Sequence, residues 1–495
     1  MATFNSAGSG NANDDATWTE SGQPASGDHC IIASGHTVTL TADELWGSAR
    51  VIGTIAGGGH TLTLDGTSDD NVFRWDGTIS GNLDITITGG NNKNIKDNSG
   101  TGDIRNLTIN NSGNTINTGD GTSLTIAGNL TITAGTLSTT GSNLDLTVAG
   151  RTDIGPASGS ADQATLTCNA STVSLGSGRT SSFALVVNQG GTFAGGSGTH
   201  TIGSIETKNN SNAKMTMTSG ECTIDSENSG DNRAILVETN ATFDNNDGTI
   251  KITHAGDTNI EFKSGTTSPK CPHNLTIDKS DNDVKTHGDL RIDNDLFIKI
   301  VDTSHSMRPS SASDTLTVIG DVTLNKGKLG ASTNYTSAIS FGSLTIDADG
   351  EYIATSGTTT MTSKNSSNYI MDLDGTFTHN NGTVRINSTG SGDQLVDLVP
   401  SSGTLYDLEI NENSTNPVQY NGNTTIANNL TVVEGIFQFY DNNNSNLTVT
   451  GDVSIEDGGQ LAASGWSGAG EFGSLTINSG GTFNATSGTT TITNK

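Results

Sequence analysis

The densest group of side chains able to do acid–base chemistry lies in residues 280–300, which read SDNDVKTHGDLRIDNDLFIKI. Glycoside hydrolases need two carboxylates beside the scissile bond, and general acid–base catalysis can also pair a carboxylate with Arg or Lys. The segment offers both kinds of group in Asp281, Asp283, Lys285, His287, Asp289, Arg291, Asp293 and Asp295. Among these residues, Asp289, Asp293 and Asp295 are the candidates for catalysis on a polysaccharide.

The same alternation of charges has a second interpretation. Charged residues at every other position of a strand form the solvated face of an acidic sheet. Sites for carbohydrate chemistry also usually display aromatic platforms, and the chain has only 4 Trp and 6 Tyr in 495 residues. We therefore expect no enzymatic activity. The few clustered aromatics, Phe437, Phe439 and Tyr440, are expected to widen the core or to meet a partner chain.

Ligands for a metal ion are sparse in the sequence. The nine histidines form no His-x-x-x-His pair, and Cys271-Pro272-His273 supplies at most two neighbouring ligands. The stretch DNNDG from Asp244 lacks the ligand alternation and the closing Glu of an EF-hand loop. We expect no cofactor and no designed metal site, while the acidic surface could hold Ca²⁺ loosely.

Four cysteines are far apart in the sequence and show no Cys-x-x-Cys spacing. This arrangement gives little support to a disulfide framework or a zinc site. We expect all four to be small, buried apolar residues. They are Cys30, Cys168, Cys222 and Cys271.

Short strands must position all of these groups, because the apolar residues alternate and no sustained helical period is present. The recurring unit is a Leu-Thr-Ile triplet, a Gly and a second triplet, as in LTIAGNLTI from Leu124, LTVIGDVTL from Leu316 and LTVTGDVSI from Leu447. Alternation puts Leu and Ile on one face and Thr on the other. The units recur every ~17 to 25 residues, the length of one coil of a β-solenoid.

A longer period is superimposed on the coils. The segments that begin at Leu316 and Leu447 resemble each other, and so do FGSLTIDADGEYIATSGTTT from Phe341 and FGSLTINSGGTFNATSGTTT from Phe472. In both pairs the second segment follows the first by the same number of residues. Block duplication of this kind is typical of solenoid repeats. We expect N-terminal capping coils in 1–60, a solenoid with a first repeat block in 61–273, and further blocks in 274–406 and 407–495.

These patterns predict an all-β, right-handed parallel β-helix with tandem multi-coil repeats. With ~20 residues per coil and ~4.8 Å per coil, the chain would form about 25 coils and a rod roughly 120 Å long.

Charge excludes several classes of partner. The chain has 52 Asp and Glu against 23 Lys and Arg, a net charge of −29, so we expect no nucleic-acid binding. No run approaches the ~18 apolar residues of a membrane span, and the first residues lack the basic and apolar regions of a Sec signal peptide. We expect no membrane insertion, and export by another route or release on cell lysis.

Residues 18–40 read WTESGQPASGDHCIIASGHTVTL. This stretch resembles the opening of repetitive β-helical surface proteins of marine bacteria and their phages; the matching positions are Trp18, Gly22, Pro24, Gly27, Asp28, Gly35, His36, Thr37 and Val38. Cys30 departs from the pattern, since relatives usually carry an apolar residue there. The resemblance covers about the first tenth of the chain and implies a first coil capped through Trp18, Pro24 and Asp28.

Two functions follow as hypotheses. The first is a structural protein on an extracellular surface or virion, such as a fibre, filament subunit or capsid appendage, that associates with itself or with other surface proteins through solenoid ends or edges. The alternative is a glycan-binding adhesin or a tailspike-like enzyme that degrades polysaccharides.

Overall fold

A computed structural model describes the chain except for residues 1, 67–70, 90, 140–142, 157–162, 264, 331–334, 389–391, 393, 413–415, 441–443, 462–465, 494 and 495. It divides into two units, Met1–Ile250 and Lys251–Lys495. The described residues form β-strands, one short 3₁₀ turn at Asp15–Thr17 and no α-helix. Accordingly, no helix in the described part of the chain has the length and apolarity needed to cross a membrane.

The strands that begin in the first unit are, in chain order, β1 (Thr3–Asn5), β2 (Gly10–Asn11), β3 (His29–Ile32), β4 (Thr37–Thr39), β5 (Glu44–Trp46), β6 (Ser48–Val51), β7 (Thr54–Ala56), β8 (Thr61–Leu64), β9 (Asn71–Trp75), β10 (Thr78–Ser80), β11 (Asp84–Ile87), β12 (Lys93–Asp97), β13 (Asn106–Asn117), β14 (Leu124–Ile126), β15 (Leu130–Ser138), β16 (Leu146–Val148), β17 (Thr152–Ile154), β18 (Ala164–Thr167), β19 (Val173–Leu175), β20 (Leu185–Val187), β21 (Gly191–Ala194), β22 (His200–Ile202), β23 (Ile205–Thr207), β24 (Lys214–Thr216), β25 (Glu221–Ile224), β26 (Arg233–Val237), β27 (Thr242–Asp244) and β28 (Thr249–Ile252).

The strands of the second unit are, in chain order, β29 (Thr258–Phe262), β30 (Asn274–Lys279), β31 (Val284–His287), β32 (Leu290–Ile292), β33 (Leu296–Ile300), β34 (Ser306–Pro309), β35 (Leu316–Val318), β36 (Asp321–Leu329), β37 (Ile339–Phe341), β38 (Ser343–Ile353), β39 (Thr358–Met361), β40 (Tyr369–Leu373), β41 (Thr376–Thr378), β42 (Thr383–Ile386), β43 (Gln394–Asp397), β44 (Ser402–Gly403), β45 (Asp407–Asn411), β46 (Val418–Asn421), β47 (Thr424–Ile426), β48 (Leu430–Phe439), β49 (Leu447–Ile455), β50 (Gly459–Leu461), β51 (Gly470–Ile477), β52 (Thr482–Phe483) and β53 (Thr490–Ile492).

Alternation along each strand creates the interior. In β14 the side chains of Leu124 and Ile126 are buried while Thr125 is partly exposed, and the strand that stacks on β14 repeats this pattern. Because partners run in parallel and in register, like residues pile into columns. One column passes through Leu124, Leu146, Val173, His200 and Cys222.

Each unit is therefore a parallel β-solenoid, as the sequence predicts, and the two together contain about 20 turns among the described residues. The expected number of about 25 coils is too high, because many coils are longer than ~20 residues. Coil length varies widely even within the first unit: Thr37 stacks on Thr54, whereas Thr152 stacks on the much more distant Leu185. The handedness of the coils and the length of the molecule stay predictions.

The four cysteines lie in the interior as thiols outside any disulfide, each with no exposed area, as expected. Burial raises the pKa of Cys271 to about 12 and also raises the pKa of the other three thiols. They act as small apolar members of the columns. His200, which stacks in register with Cys222, is also fully buried, and burial lowers its pKa to about 4, so the ring is neutral at physiological pH.

Candidate functional site

The carboxylates expected to be available for catalysis are engaged in bonds within the second unit. Asp289 Oδ1 accepts hydrogen bonds from the backbone N–H and the hydroxyl of Thr315, at 2.8 and 2.9 Å. Asp295 Oδ1 accepts from the backbone N–H of Asp321 at 2.8 Å. Asp321 lies one coil beyond Asp295, and Thr315 one coil beyond Asp289, so both carboxylates tie a coil to the next coil.

The bonds of Asp295 belong to a longer series. Asn274 Oδ1 accepts from the Asp295 N–H at 3.3 Å, and Asp321 Oδ1 accepts from the Ser343 hydroxyl at 2.6 Å. We call this set of Asn274, Asp295, Asp321 and Ser343 the corner ladder. Short polar side chains at the same corner of successive coils can bond backbone groups that the strands leave unpaired.

Asp293 is held by a different set of groups. Its Oδ1 lies 2.7 Å from Arg291 Nε, and the Asp293 side chain is 8% exposed. Partial burial alone would raise the pKa of Asp293, but hydrogen bonds from Ser268, Arg291 and Cys271 outweigh it and lower the pKa. Asp293 therefore stays ionised and neutralised by Arg291, which suits a structural anion better than a general acid.

Neighbouring charges in residues 251–328, which we call the charge-paired segment, neutralise one another in the same way. Asp278 lies between Lys251 and Lys299, with N–O distances of 3.1 and 3.2 Å. Asp283 accepts from Arg308 at 2.6 Å. The pKa of both Asp278 and Asp283 is lowered, because their partners outweigh the effect of partial burial.

A shallow depression of about 280 Å³ lies beside this segment, and its lining includes Thr303, Lys328, Asp349 and Glu351. Lys328 pairs with Glu351 at 3.0 Å and Asp349 pairs with Lys326 at 3.5 Å. Its charged groups are thus already paired with each other or with a neighbour, which makes the depression a poor candidate for a ligand site.

The three residues that the N-terminal resemblance implies lie in the first coils of the first unit. Trp18 is 4% exposed, contacts Phe4 and Trp46 edge to face at 6.1 and 5.7 Å, and donates from Nε1 to the carbonyl of Ala12. Pro24 is buried. Asp28 accepts from the backbone N–H of Ala2 at 2.6 Å and of Ala25 at 3.2 Å. Their role in assembly stays a prediction.

The stretch DNNDG forms a turn. Asn246 and Asp247 have positive φ angles of 49° and 55°, and Asn246 Nδ2 donates to the carbonyls of Gly196 and Met217 at 3.1 Å. No group of three or more His, Cys, Asp or Glu side chains that could hold a metal ion occurs among the described residues.

A second acidic region has the opposite character. Strands β40, β43, β46 and β48 stack in parallel, and their outward side chains form two rows. One row contains Tyr369, Leu395, Gln419 and Gln438, which pair in register. The other row contains Asp372, Asp397, Asn421 and Tyr440. Met371 pairs with Val396, which places Asp372 beside Asp397, and Asp397 pairs with Asn421. The Tyr440 N–H donates to the Tyr420 carbonyl, which places Tyr440 beside Asn421. We call these two rows the tyrosine–aspartate face.

The electrostatics of this face are unusual. Partial burial, and then the charges of Asp374, Asp397 and Asp347, raise the pKa of Asp372. Partial burial also raises the pKa of Asp397, with a further contribution from Asp374, although the Val399 N–H donates to Asp397 at 3.1 Å. The structure shows no ion pair for Asp372 or Asp397 among the residues it describes. Two like charges on adjacent strands therefore face solvent without compensation.

Aromatic and amide groups flank the carboxylates. Tyr440 is 46% exposed, whereas Phe437 and Phe439 point inward at 0% and 6%. Burial, followed by Asp372 and Asp397, raises the pKa of Tyr369. Gln419 Oε1 is buried without a hydrogen-bond partner. Phe437 and Phe439 therefore belong to the core, whereas the ring of Tyr440 is exposed.

A cluster of aromatic rings lies beneath the face. Tyr420 stacks on Phe437 at 4.6 Å between ring centroids, and lies 4.0 Å from Phe439, which in turn lies 4.9 Å from Trp466. These inward rings fix the strands from which Asp397, Asn421 and Tyr440 project.

Sequence reasoning missed this face because its members are spread over four strands from Tyr369 to Tyr440 and meet only through stacking. A register shift between Tyr369 and Met371 also places Asp372 next to Asp397, and no local sequence pattern predicts this shift. Two features of the sequence could have indicated this face. An Asp follows an inward-facing residue in both YIMDL and QLVDL, and Arg385 is the only Lys or Arg from 369 to 440.

No protein-family profile, curated protein sequence or solved structure matches the chain. The site must therefore be interpreted from its own chemistry. Tyrosine rings can pack on the apolar faces of sugars, and carboxylates and amides can bond their hydroxyl groups.

Proposed function

We propose that this chain is a structural protein of an extracellular surface or virion, and that its second unit binds neutral glycan chains along the tyrosine–aspartate face without cleaving them. The observation that carries the proposal is the position of the exposed ring of Tyr440 in the same row as Asp372 and Asp397. The location on a surface or virion rests on the resemblance of residues 18–40 alone.

Uncompensated carboxylates are the main support for binding. Keeping Asp372 and Asp397 on adjacent strands costs folding free energy, since like charges directly opposite each other destabilise a sheet. Strands elsewhere in the unit avoid this cost with Thr or with Asp–Lys pairs. Perturbed, uncompensated groups concentrate at functional sites, and here they lie beside an exposed aromatic ring.

A neutral glycan suits the face better than an acidic one. Four carboxylates, Asp347, Asp372, Asp374 and Asp397, interact there, and the chain carries a net charge of −29. Uronate or sulfate groups would be repelled. Neutral sugars instead present hydroxyl donors to the carboxylates and C–H faces to Tyr369 and Tyr440.

Cleavage of the glycan is not expected, because the surroundings of Asp372 and Asp397 do not distinguish an acid from a base. Glycosidases separate the pKa values of their acid and their base or nucleophile through different surroundings. Burial and the charge of Asp374 raise the pKa of both Asp372 and Asp397. The direction of the pKa shift therefore does not distinguish a general acid from an ionised base or nucleophile in this pair.

Binding of soluble neutral and uronate-containing polysaccharides, measured by affinity electrophoresis, tests the proposal. We expect retardation by a neutral polysaccharide, and Tyr440→Ala should weaken it about tenfold or more because it removes the stacking ring. Tyr406→Ala is the matched control, since Tyr406 stacks on His379 at 5.1 Å and is not part of the face. Equal retardation of both tyrosine variants and wild type would refute the assignment of the face.

The same mixtures are assayed for new reducing ends. Release that disappears in Asp397→Asn would show that the pair is catalytic, and the non-enzymatic part of the proposal would then be wrong. Release that persists in Asp397→Asn and disappears in Asp293→Ala would move the activity to the charge-paired segment.

A further inference from the structure

The chain contains two Asn-Gly pairs, Asn381-Gly382 and Asn421-Gly422, and both lie in the second unit. An Asn that precedes Gly is prone to lose its side-chain amide, because Gly has no Cβ to hinder attack by its backbone nitrogen on the Asn side chain. Asn381 and Asn421 are both exposed. The same reactive dipeptide therefore occurs in two environments that can be compared.

The pair at 381 is held in place by the fold. The Gly382 N–H donates to the His379 carbonyl at 2.9 Å, and Gly382 is buried. The carbonyl of Thr355 packs so closely against Gly382 that a Cβ would not fit there. The Gly382 nitrogen must break its hydrogen bond and move before it can attack Asn381.

The pair at 421 is open. Asn421 is the last residue of β46, and Gly422 follows with a φ angle of 75°. Neither the Gly422 N–H nor the side-chain amide of Asn421 has a hydrogen bond to any residue that the structure describes. Among those residues, only Val399 would contact a Cβ on Gly422, and Val399 is itself 44% exposed. The groups that must react are therefore accessible and unrestrained.

The reaction needs no reagent other than water. The Gly422 nitrogen gives its proton to solvent and attacks Cγ of Asn421, so that a new C–N bond forms and the side-chain nitrogen leaves as ammonia, protonated by solvent. Water then opens the cyclic imide at either of its carbonyls and leaves aspartate or isoaspartate at position 421. No atom is oxidised or reduced in these steps.

From these observations we infer that Asn421 is a site of spontaneous deamidation, which adds a negative charge to the tyrosine–aspartate face as the protein ages. Asn421 pairs in register with Asp397, so the new carboxylate lies directly opposite one that already has no cation. Asp372 stands on the other side of Asp397 in the same row. The modification does not depend on glycan binding, although it alters the face to which that function is assigned.

The new charge should loosen the end of β46. Like charges directly opposite each other destabilise a sheet. Isoaspartate also lengthens the main chain by one methylene group, next to the point where the Tyr440 N–H donates to the Tyr420 carbonyl. Because Tyr440 carries the exposed ring of the face, deamidation at Asn421 affects the position of that ring.

Peptide mapping by mass spectrometry of the full chain, incubated in mildly alkaline buffer, tests the inference. Conversion of amide to acid is followed at both pairs in the same sample. In the folded chain Asn421 should convert at least about fivefold faster than Asn381, since the Gly382 amide must first break a hydrogen bond. In denaturant the two rates should become similar. Equal rates in the folded chain, or a preference for Asn421 that is unchanged in denaturant, would overturn the inference.

Two variants separate the modification from its consequence. Asn421→Asp reproduces the charge, whereas Asn421→Gln keeps an amide but forms the larger cyclic imide less readily. Hydrogen exchange at the Tyr440 N–H should accelerate about twofold or more in Asn421→Asp and in aged wild type, and Asn421→Gln should exchange alike before and after incubation. Aged wild type that is converted at position 421 but exchanges like fresh protein would show that the deamidation leaves the face unchanged, contrary to the inference.

Discussion

Residues 251–328 and residues 369–440 lie in the same β-solenoid unit but use their carboxylates in opposite ways. The charge-paired segment has 10 Lys and Arg with 11 Asp and Glu, whereas residues 369–440 have one Arg, no Lys and 8 acidic residues. In the first region Asp278, Asp283 and Asp293 have lowered pKa values, and in the second Asp372 and Asp397 have raised ones. Carboxylates stabilise the coils in one region and strain them in the other.

A functional face on a repetitive scaffold differs from its surroundings in the pairing of its charges. Density of charge in the sequence is not a useful guide, because dense mixed charges neutralise one another across coils. A carboxylate that the fold leaves without a cation, beside an exposed aromatic ring, is the more informative feature. Substitutions in both regions test whether paired and uncompensated carboxylates differ in this way.

Removing the central carboxylate of the charge-paired segment should have the largest effect. Asp278→Ala leaves Lys251 and Lys299 facing each other, so the local free energy of unfolding should fall by about 1–2 kcal/mol at neutral pH. Hydrogen exchange of residues 274–300, read by mass spectrometry, measures the change. Asp281→Ala, which removes a neighbouring charge bonded to the Ser280 hydroxyl, should change it far less. Equal effects of the two substitutions would show that Asp278 does not bridge the lysines.

Neutralising the tyrosine–aspartate face should have the opposite sign. Asp372→Asn keeps the shape of the side chain and removes one of two adjacent like charges, so the free energy of unfolding at pH 7 should rise by up to about 1 kcal/mol. Asp278→Asn serves as the matched substitution in the other region and should lower it. Destabilisation by Asp372→Asn would mean that an unseen partner compensates the charge, and the face would lose its main support as a binding site.

Most of the fold follows from the sequence, because alternating apolar residues and block duplication constrain it strongly. Leu124, Leu316 and Leu447 all begin buried strand triplets, as predicted. The candidate site could not be predicted in the same way. Asp295 and Asp293 are conspicuous in the sequence, yet their partners Asp321 and Ser268 are distant along the chain and are chosen by coil length. The meeting of Asp372 with Asp397 likewise depends on a register shift.

Acidification should separate the two regions further. A lowered folded-state pKa means that Asp278 contributes stability above its unfolded pKa of about 4, and that this contribution is lost as the pH falls through the folded pKa. A raised folded-state pKa means that Asp372 destabilises the fold above that pKa and ceases to do so as the pH falls through it. The stabilisation by Asp372→Asn should therefore shrink between pH 7 and about pH 4, while the loss in Asp278→Asn should persist there. A gain in Asp372→Asn that does not change with pH would exclude charge repulsion as its cause.

The corner ladder should show the smallest effect, and it separates the role of an oxygen acceptor from that of a charge. Asp295 is exposed, so in Asp295→Ala water can bond the Asp321 N–H, and the cost should be near the lower limit for a hydrogen bond, about 0.5 kcal/mol. Hydrogen exchange at Asp321 should then accelerate about twofold, whereas Asp295→Asn, which keeps an acceptor oxygen, should exchange like wild type. If Asp295→Asn accelerated hydrogen exchange at Asp321 as much as Asp295→Ala does, the negative charge of Asp295, and not its bond to the next coil, would be the stabilising feature. The contrast between bonded and uncompensated carboxylates would then not hold at this position.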